Sequence, residues 1–171
     1  MAEDTTITLG SSTGNPVSIA DADALSAPVR VTLSVGNGVL TLASTIGLIF
    51  HTCDGTADGA IDITGTVADI NAALDGMVFT PSTSFNGNGW LQIDVSDQGN
   101  SGTGGALTAS QSLVIVVTPV NDPPAFSFVS GNSNYPENAG PVVLAPTGTV
   151  SDVDSANFDG GRLVVYFSNN G

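Results

Sequence analysis

The chain has 171 residues, of which 41% are hydrophobic, and this is enough apolar sequence for one sizeable core. Sixteen acidic residues face only two basic ones, and the formal net charge of −14 excludes nucleic-acid binding, since almost nothing is present to displace counterions from phosphates. No apolar run reaches the roughly 18 residues of a membrane span, and the lone Cys53 cannot form an internal disulfide.

Alternating apolar and polar residues predict short β-strands along residues 1–120. Clusters of Gly, Asn, Asp and Ser separate them at the spacing expected of an antiparallel sandwich, and β-branched residues suit the pleated sheet. The pattern therefore predicts an all-β fold. The predicted strands are Thr5–Leu9, Val29–Val35, Val39–Leu42, Leu48–Phe50, Ala60–Ile63, Trp90–Val95 and Ser112–Val120.

One segment, residues 67–76, has a helical period instead. Its apolar residues recur at helical spacing, and Gly76 stands where a left-handed residue would end the helix. We expect a helix of at most two turns whose apolar face packs into the core, together with Met77 and Phe79 just after it.

Two features follow this helix in the chain. Asn86-Gly87-Asn88-Gly89 predicts a tight turn, because Gly and Asn both tolerate positive φ. Trp90 comes directly after it and is interpreted as a large anchor of the core rather than as an exposed binding residue.

Asn121-Asp122-Pro123-Pro124 predicts a linker, because consecutive prolines lack amide donors and must end a strand ladder. Residues 1–120 would form one complete domain, and residues 125–171 the incomplete start of a second, with strands at 125–129, 142–144 and 162–167. Since so short a segment buries little core, we expect it to be disordered, to dock on a neighbour, or to be completed in a longer parent chain.

An acidic pattern occurs twice. Ile19-Ala20-Asp21-Ala22-Asp23 returns as Val150-Ser151-Asp152-Val153-Asp154, roughly 130 residues later, and Glu3 and Glu137 are separated by a similar interval. The sequence therefore predicts a tandem repeat of domain size.

Several motifs also follow one another in a fixed order: Glu3-Asp4-Thr5, Asp21-Ala22-Asp23, residues 68–74, Phe79-Thr80-Pro81, Phe85-Asn86-Gly87, Asp97-Gln98-Gly99 and Asn121-Asp122-Pro123-Pro124. In this order they resemble a bacterial cadherin-like repeat, related to the chondroitin sulfate proteoglycan type, which recurs in large secreted or surface adhesins. The resemblance implies an antiparallel Greek-key β-sandwich, cadherin- or immunoglobulin-like, with calcium bound at the junctions between repeats.

The resemblance also assigns individual residues. Pro136-Glu137-Asn138 matches the cadherin Pro-Glu-Asn element, and the two acidic pairs match its Asp-x-Asp element. It implies one Ca²⁺ near Asn121, Asp122, Asp152 and Asp154, with Glu3 as a further ligand, and a weaker site at Asp21, Asp23 and Asp97. Calcium takes hard oxygen ligands of these kinds. The cadherin Asp-Arg-Glu element is absent, so a full three-ion cluster is not implied, and the residues alone leave open that these aspartates only cap turns.

Catalysis finds little support in the sequence. A nucleophile needs an adjacent base and an orienting third group, and the single His51 and Cys53 offer too few ligands for a closed zinc site. No glycine-rich phosphate loop follows a strand and opens a helix. We expect a hairpin turn with an exposed thiol here, and no enzyme.

The sequence thus predicts a non-catalytic structural or adhesion repeat of a bacterial adhesin, extracellular or at the cell surface. The N-terminus lacks the features of a signal peptide, so an export signal is expected elsewhere. Its partners would be neighbouring repeats and a cell-surface protein or glycan. Two alternatives remain: a calcium-dependent carbohydrate-binding module, which needs an exposed aromatic such as Trp90, and a calcium-independent spacer.

Overall fold

The alternating segments form antiparallel strands in the computed structural model, which describes residues 1–99, 104–127, 135–155, 157–158 and 160–165. The chain divides into two units, Met1–Val120 and Asn121–Gly171. The elements of the first unit are β1 (Ile7–Leu9), β2 (Val29–Gly36), β3 (Gly38–Thr41), β4 (Ile49–Thr52), β5 (Ala60–Gly65), α1 (Val67–Leu74), β6 (Met77–Pro81), β7 (Gly87–Ser96) and β8 (Thr108–Val117).

These strands form two antiparallel sheets. The larger has the order β4-β5-β2-β7-β8, and the smaller has the order β1-β6-β3. Apolar side chains from both sheets and from α1 are buried in one cluster, which is consistent with an all-β sandwich. The largest of the fully buried side chains are Phe79, Leu33, Leu40, Ile61, Ile63, Ile70, Leu74, Met77 and Leu91.

The helix forms where the sequence period predicts it. Thr66 caps its N-terminus, with its hydroxyl oxygen accepting the N–H of Asp69 at 3.2 Å. Ile70, Ala73 and Leu74 face the core, and the helix ends before Gly76, whose φ of 105° requires a residue without a Cβ. The helix therefore plugs the core as expected.

Strand β6 was not among the predicted strands, although Met77 and Phe79 were expected in the core. It follows the helix after only Asp75 and Gly76, and it is the central strand of the smaller sheet. Its buried residues alternate at period two, but five residues directly after a helix are too few for that period to be distinctive.

The predicted turn at residues 86–89 is wrong, because residues 87–89 begin β7 and pair with residues 115–117. Gly89 is buried, and a Cβ there would lie 3.3 Å from the carbonyl oxygen of Gly36. Glycine at position 89 therefore allows the neighbouring strands to lie close together, and it is not part of a turn.

The second unit contains two short paired strands, β9 (Ala125–Ser127) and β10 (Thr149–Ser151). Residues 142–144 and 162–165 are not strands, contrary to the prediction, because no described strand pairs with them; residues 128–129 and 166–167 lie outside the described residues. No described residue of this unit is buried. Among the described residues, no helix is long and apolar enough to cross a membrane.

Candidate metal centre

In the second unit the acidic pair lies in a tight turn. One carboxylate oxygen of Asp152 (Oδ1) accepts the backbone N–H groups of Asp154 at 2.9 Å and of Ser155 at 3.0 Å. An aspartate that bonds to the backbone two and three residues later closes such a turn without any ion.

The turn lies close to the start of the Asn121-Asp122-Pro123-Pro124 segment. The backbone N–H of Asp122 donates to Asp154 Oδ2 at 2.5 Å, and carboxylate oxygens of these two residues lie within 4.8 Å of each other. Calcium–oxygen distances are about 2.3–2.6 Å, so two oxygens at this separation can bind one ion. The structure therefore brings Asp122 of the linker close to Asp154 of the acidic pair.

The donor set suits a hard cation. Asp122 and Asp154 supply carboxylates, and the amide of Asn121 donates through Nδ2 to the carbonyl of Asp122 at 3.2 Å, which leaves its Oδ1 as the atom able to ligate. Two carboxylates so close together repel each other, and a cation between them would remove that repulsion. Carboxylate, amide and carbonyl oxygens are the ligands calcium uses, whereas zinc prefers N and S ligands.

Glu137 lies elsewhere in the same unit. It is exposed, in a turn closed by the N–H of Ala139 donating to the carbonyl of Pro136 at 3.1 Å. Its carboxylate is not part of the group that Asp122 and Asp154 form. Its assignment as a ligand remains a prediction from the resemblance.

Glu3 belongs to the first unit, where it is 3% exposed. Its Oε1 accepts the backbone N–H of Val120 at 2.5 Å, and its Oε2 accepts from Asn86 Nδ2 at 3.4 Å. A buried carboxylate needs donors of this kind, because it is costly to bury without them. The contact holds Glu3 beside the residue that directly precedes Asn121 in the chain.

The first copy of the acidic pair has the same turn. Asp21 Oδ1 accepts the N–H groups of Asp23 at 3.2 Å and of Ala24 at 3.0 Å, and hydrogen bonding involving Asp23 is the main reason why the pKa of Asp21 is lowered. Asp97 Oδ1 accepts from Gly99 at 2.8 Å and Leu107 at 2.7 Å. In the described part of the chain, Asp21, Asp23 and Asp97 do not bring their carboxylates within 4.8 Å of one another as a group. The turn-capping alternative therefore has direct support in this unit.

The histidine and the cysteine have separate contacts. His51 Nε2 lies 2.8 Å from the hydroxyl oxygen of Thr64, whereas Cys53 is an exposed free thiol. A hydrogen bond with Asp58, some loss of hydration and the charges of Asp58 and Asp54 raise the pKa of Cys53. A raised pKa lowers the fraction of thiolate at neutral pH, which is the opposite of what a nucleophile needs.

Trp90 is 44% exposed, so its assignment as a core anchor is wrong. It lies opposite Gly36 on the outer face of the larger sheet, and a Cβ on Gly36 would lie 2.3 Å from the indole Nε1. The indole thus covers the space that glycine leaves open on β2. The neighbouring Leu91 fills the core instead, because successive residues of a strand point to opposite faces.

One residue that positions the acidic turn of the first unit was missed. Asn71 on α1 accepts the N–H of Ile19 through Oδ1 at 2.8 Å and donates through Nδ2 to the carbonyl of Ile19 at 2.9 Å. This pair of bonds fixes the chain two residues before Asp21. The polar side chain of Asn71 among the small residues of the helix could have indicated a structural role. The sequence does not indicate that its partner is Ile19.

No family model matches this chain, and no solved structure matches it.

Proposed function

We propose that this chain is a non-catalytic, extracellular repeat that extends and stiffens a large bacterial surface protein, with calcium at the junction between repeats. The observation that carries the proposal is the approach of Asp122 and Asp154 within the second unit. Their carboxylate oxygens lie within 4.8 Å, and the N–H of Asp122 bonds to Asp154. A segment directly after the first unit is thus tied to the acidic pair of the second.

The repeated turn gives separate support. Asp21 and Asp152 each close a turn in the same way, because Oδ1 of each accepts the backbone N–H groups of the residues two and three positions later. Two sequence copies with the same local hydrogen bonds are what a tandem repeat requires. Neighbouring repeats of the same protein would then be the principal partners.

Calcium would act on the second-unit residues Asn121, Asp122, Asp152 and Asp154, and the sequence resemblance adds Glu3 from the first unit. Without the ion the carboxylates repel one another and the joint flexes. With the ion they share its coordination, and the linker loses freedom. Extracellular modules bind calcium with dissociation constants of about 0.1–1 mM, so such a site would fill outside the cell and stay empty in the cytosol.

The test is a calcium titration of the whole chain by calorimetry, with backbone relaxation of the amides in 121–127 and 149–155 measured by NMR. We expect saturable binding and higher order parameters in these two segments. Asp152→Asn/Asp154→Asn should lose this binding. The matched pair Asp21→Asn/Asp23→Asn, which has the same turn without a linker partner, should keep it. Equal loss in both variants, or no binding at about 10 mM calcium, would contradict the proposal.

A second candidate has one specific observation in its favour. Trp90 is exposed on a sheet face that also carries Gln92, Asp94 and Ser110, so an apolar ring lies beside polar side chains. This combination suits the apolar face and the hydroxyl groups of a sugar. Titrating glucose and N-acetylglucosamine oligosaccharides while following the emission of this single tryptophan tests it. Binding that Trp90→Ala abolishes would favour a carbohydrate-binding module over a spacer.

A further inference from the structure

Strand β8 is an edge strand with an open backbone. It pairs with β7 over all ten of its residues, and its register has no bulge. Met1 and Glu3 pair with its C-terminal end, at residues 116–118. Within the described parts of the chain, the backbone of 108–115 has no backbone partner besides β7, although the exposed side chain of Gln111 donates through Nε2 to the carbonyl of Ser112 at 3.3 Å and would have to give up this bond to an added strand.

The direction of the open groups follows from the neighbouring bonds. Val116 accepts from the N-terminal ammonium through its carbonyl, and Thr118 donates its N–H to the carbonyl of Met1. These bonds are made away from β7. Because backbone groups alternate along an antiparallel strand, Ser110, Ser112 and Val114 also point away from β7.

This edge lacks the usual protection against pairing. Edge strands are commonly guarded by charges, prolines or bulges, and β8 contains none of these. The opposite edge of the same sheet, β4, is interrupted by an irregularity between Phe50 and Thr52. In a chain of net charge −14, β8 is a ten-residue strand without a charged side chain.

The surfaces on both sides of the edge are apolar. Val114 and Val116 on the outer face are 58% and 56% exposed, and Leu113 on the inner face is 42% exposed. A groove of about 520 Å³ borders the inner face, lined by residues 16–20, Ile93, Val95 and residues 109–113. It offers room for an apolar side chain from a strand added at this edge.

We propose that β8 pairs antiparallel with β8 of a second copy of this chain, about a two-fold axis at Ser112, so that two larger sheets join into one. In this register Ser110 lies opposite Val114 of the second copy, and on the inner face each Leu113 lies opposite Gln111 of the second copy, beside the groove. The same strand serves both sides, as a two-fold interface requires. The net negative charge of the chain would attract a basic peptide, but β8 itself carries no charge that could pair with one. An uncharged strand, such as β8 of a second copy, is therefore the better partner.

Electrostatic repulsion does not prevent this arrangement. The nearest outer-face acid, Asp94, lies on β7 and is bonded to Ser110 and Gln92. In the joined sheet two Asp94 residues would be separated by three strand spacings, about 14 Å, which exceeds the Debye length of about 8 Å at physiological ionic strength.

Sedimentation velocity of the whole chain over about two decades of concentration tests the proposal, with a reductant to keep Cys53 from crosslinking and a chelator to remove calcium. We expect a monomer–dimer equilibrium with a dissociation constant of roughly 1–500 µM. Ser112→Pro removes one outward N–H and leaves the bonds to β7 intact, so it should weaken dimerisation at least tenfold. Ser112→Thr keeps the N–H and should dimerise as the unmodified chain does.

A chain that is monomeric at every concentration overturns the proposal, and so does Ser112→Pro if it keeps its circular dichroism and dimerises as tightly as Ser112→Thr. If Ser112→Pro does not fold, Ser112→Asp decides, because the two-fold axis passes through residue 112 and brings two like charges directly opposite each other. Unchanged dimerisation of Ser112→Asp would exclude this edge, whereas a monomer with the native dichroism would support it.

Discussion

At the scale of single residues, many of the described aspartates accept backbone N–H groups. Asp75 does so across the fold, since it accepts the backbone N–H of Ser11 at 2.6 Å and the hydroxyl of the same residue. These bonds, the backbone bond first, lower the pKa of Asp75. Asp58 likewise accepts from the N–H groups of Gly55 and Thr56. Many aspartates therefore serve as acceptors for the backbone, some in local turns and others between distant segments.

These bonds predict how stability depends on pH. The pKa values of Asp75, Asp94, Asp62 and Asp21 are all lowered from 3.8, so the folded state binds protons less readily than the unfolded state. Their stabilisation is fully present above about pH 5 and is lost as the pH falls through the lowered values. The melting temperature should therefore be nearly constant from pH 7 to 5 and fall below about pH 4. Asp75→Asn should flatten this fall, and an equally steep fall in Asp75→Asn would contradict the role of Asp75.

Gly36 makes a second prediction at this scale. In Gly36→Ala the new Cβ would overlap the indole of Trp90, which must leave the strand and enter water. The emission of the only tryptophan should shift to longer wavelength. Gly59→Ala is the matched control, because no atom lies within 4 Å of a Cβ there, and its emission should not change. Identical spectra for the two variants would show that the indole does not depend on Gly36.

At the scale of elements, the sequence period predicts the helix α1 and most strands, including the short strands β1, β3, β4 and β9. It places the long strands β7 and β8 less exactly, since the first three residues of β7 and the first four of β8 were not predicted as strand. β6 and β10 were not predicted, because so few residues show no distinctive period and depend on partners far away in the chain. The side of the sheet on which Trp90 lies depends on register with β2, which composition and spacing do not contain.

The helix also fixes a loop, and this contact gives the prediction for this scale. Asn71→Ala removes both hydrogen bonds to Ile19. The partly buried backbone N–H and C=O of Ile19 then lack those partners. The free energy of unfolding measured in urea should fall by about 1–3 kcal/mol, and hydrogen exchange at the Ile19 amide should accelerate. Ala72→Ser, at the exposed neighbouring position, serves as the control and should change neither. An Ile19 amide that stays protected in Asn71→Ala would mean that other contacts hold the loop.

At the scale of the whole molecule, buried residues are unequally distributed between the two units. Every buried hydrophobic residue of the described chain lies within residues 1–120. The candidate site could be predicted only in part. The order of the motifs indicated Asp122 and Asp154, whereas the distance between their carboxylates and the turn at Asp152 required the structure. The Asp21, Asp23 and Asp97 set shows the limit of such motifs, because the same letters can close turns.

This distribution predicts that the first unit is stable by itself. A fragment of residues 1–120, measured in chelator, should melt cooperatively within about 5 °C of the full chain, because it keeps the entire cluster of buried side chains. Scanning calorimetry of both chains, with a fragment of residues 1–115 as a control that lacks the pairing with Met1, would check this. A large loss in the fragment of residues 1–120 would mean that the second unit supports the core.

The pairing of Ala2 with Thr118 is parallel, so the first and last segments of the first unit run side by side in the same direction. Five hydrogen bonds link residues 1–3 to residues 116–120, including the bond from Val120 to the Glu3 carboxylate. When tension is applied between residue 1 and residue 120, the two segments are pulled in opposite directions along their length. The five bonds are then loaded together in shear rather than opened one after another, so forced unfolding must break them at once, and its rate is governed by that barrier. A module built in this way is suited to bear mechanical load along a chain.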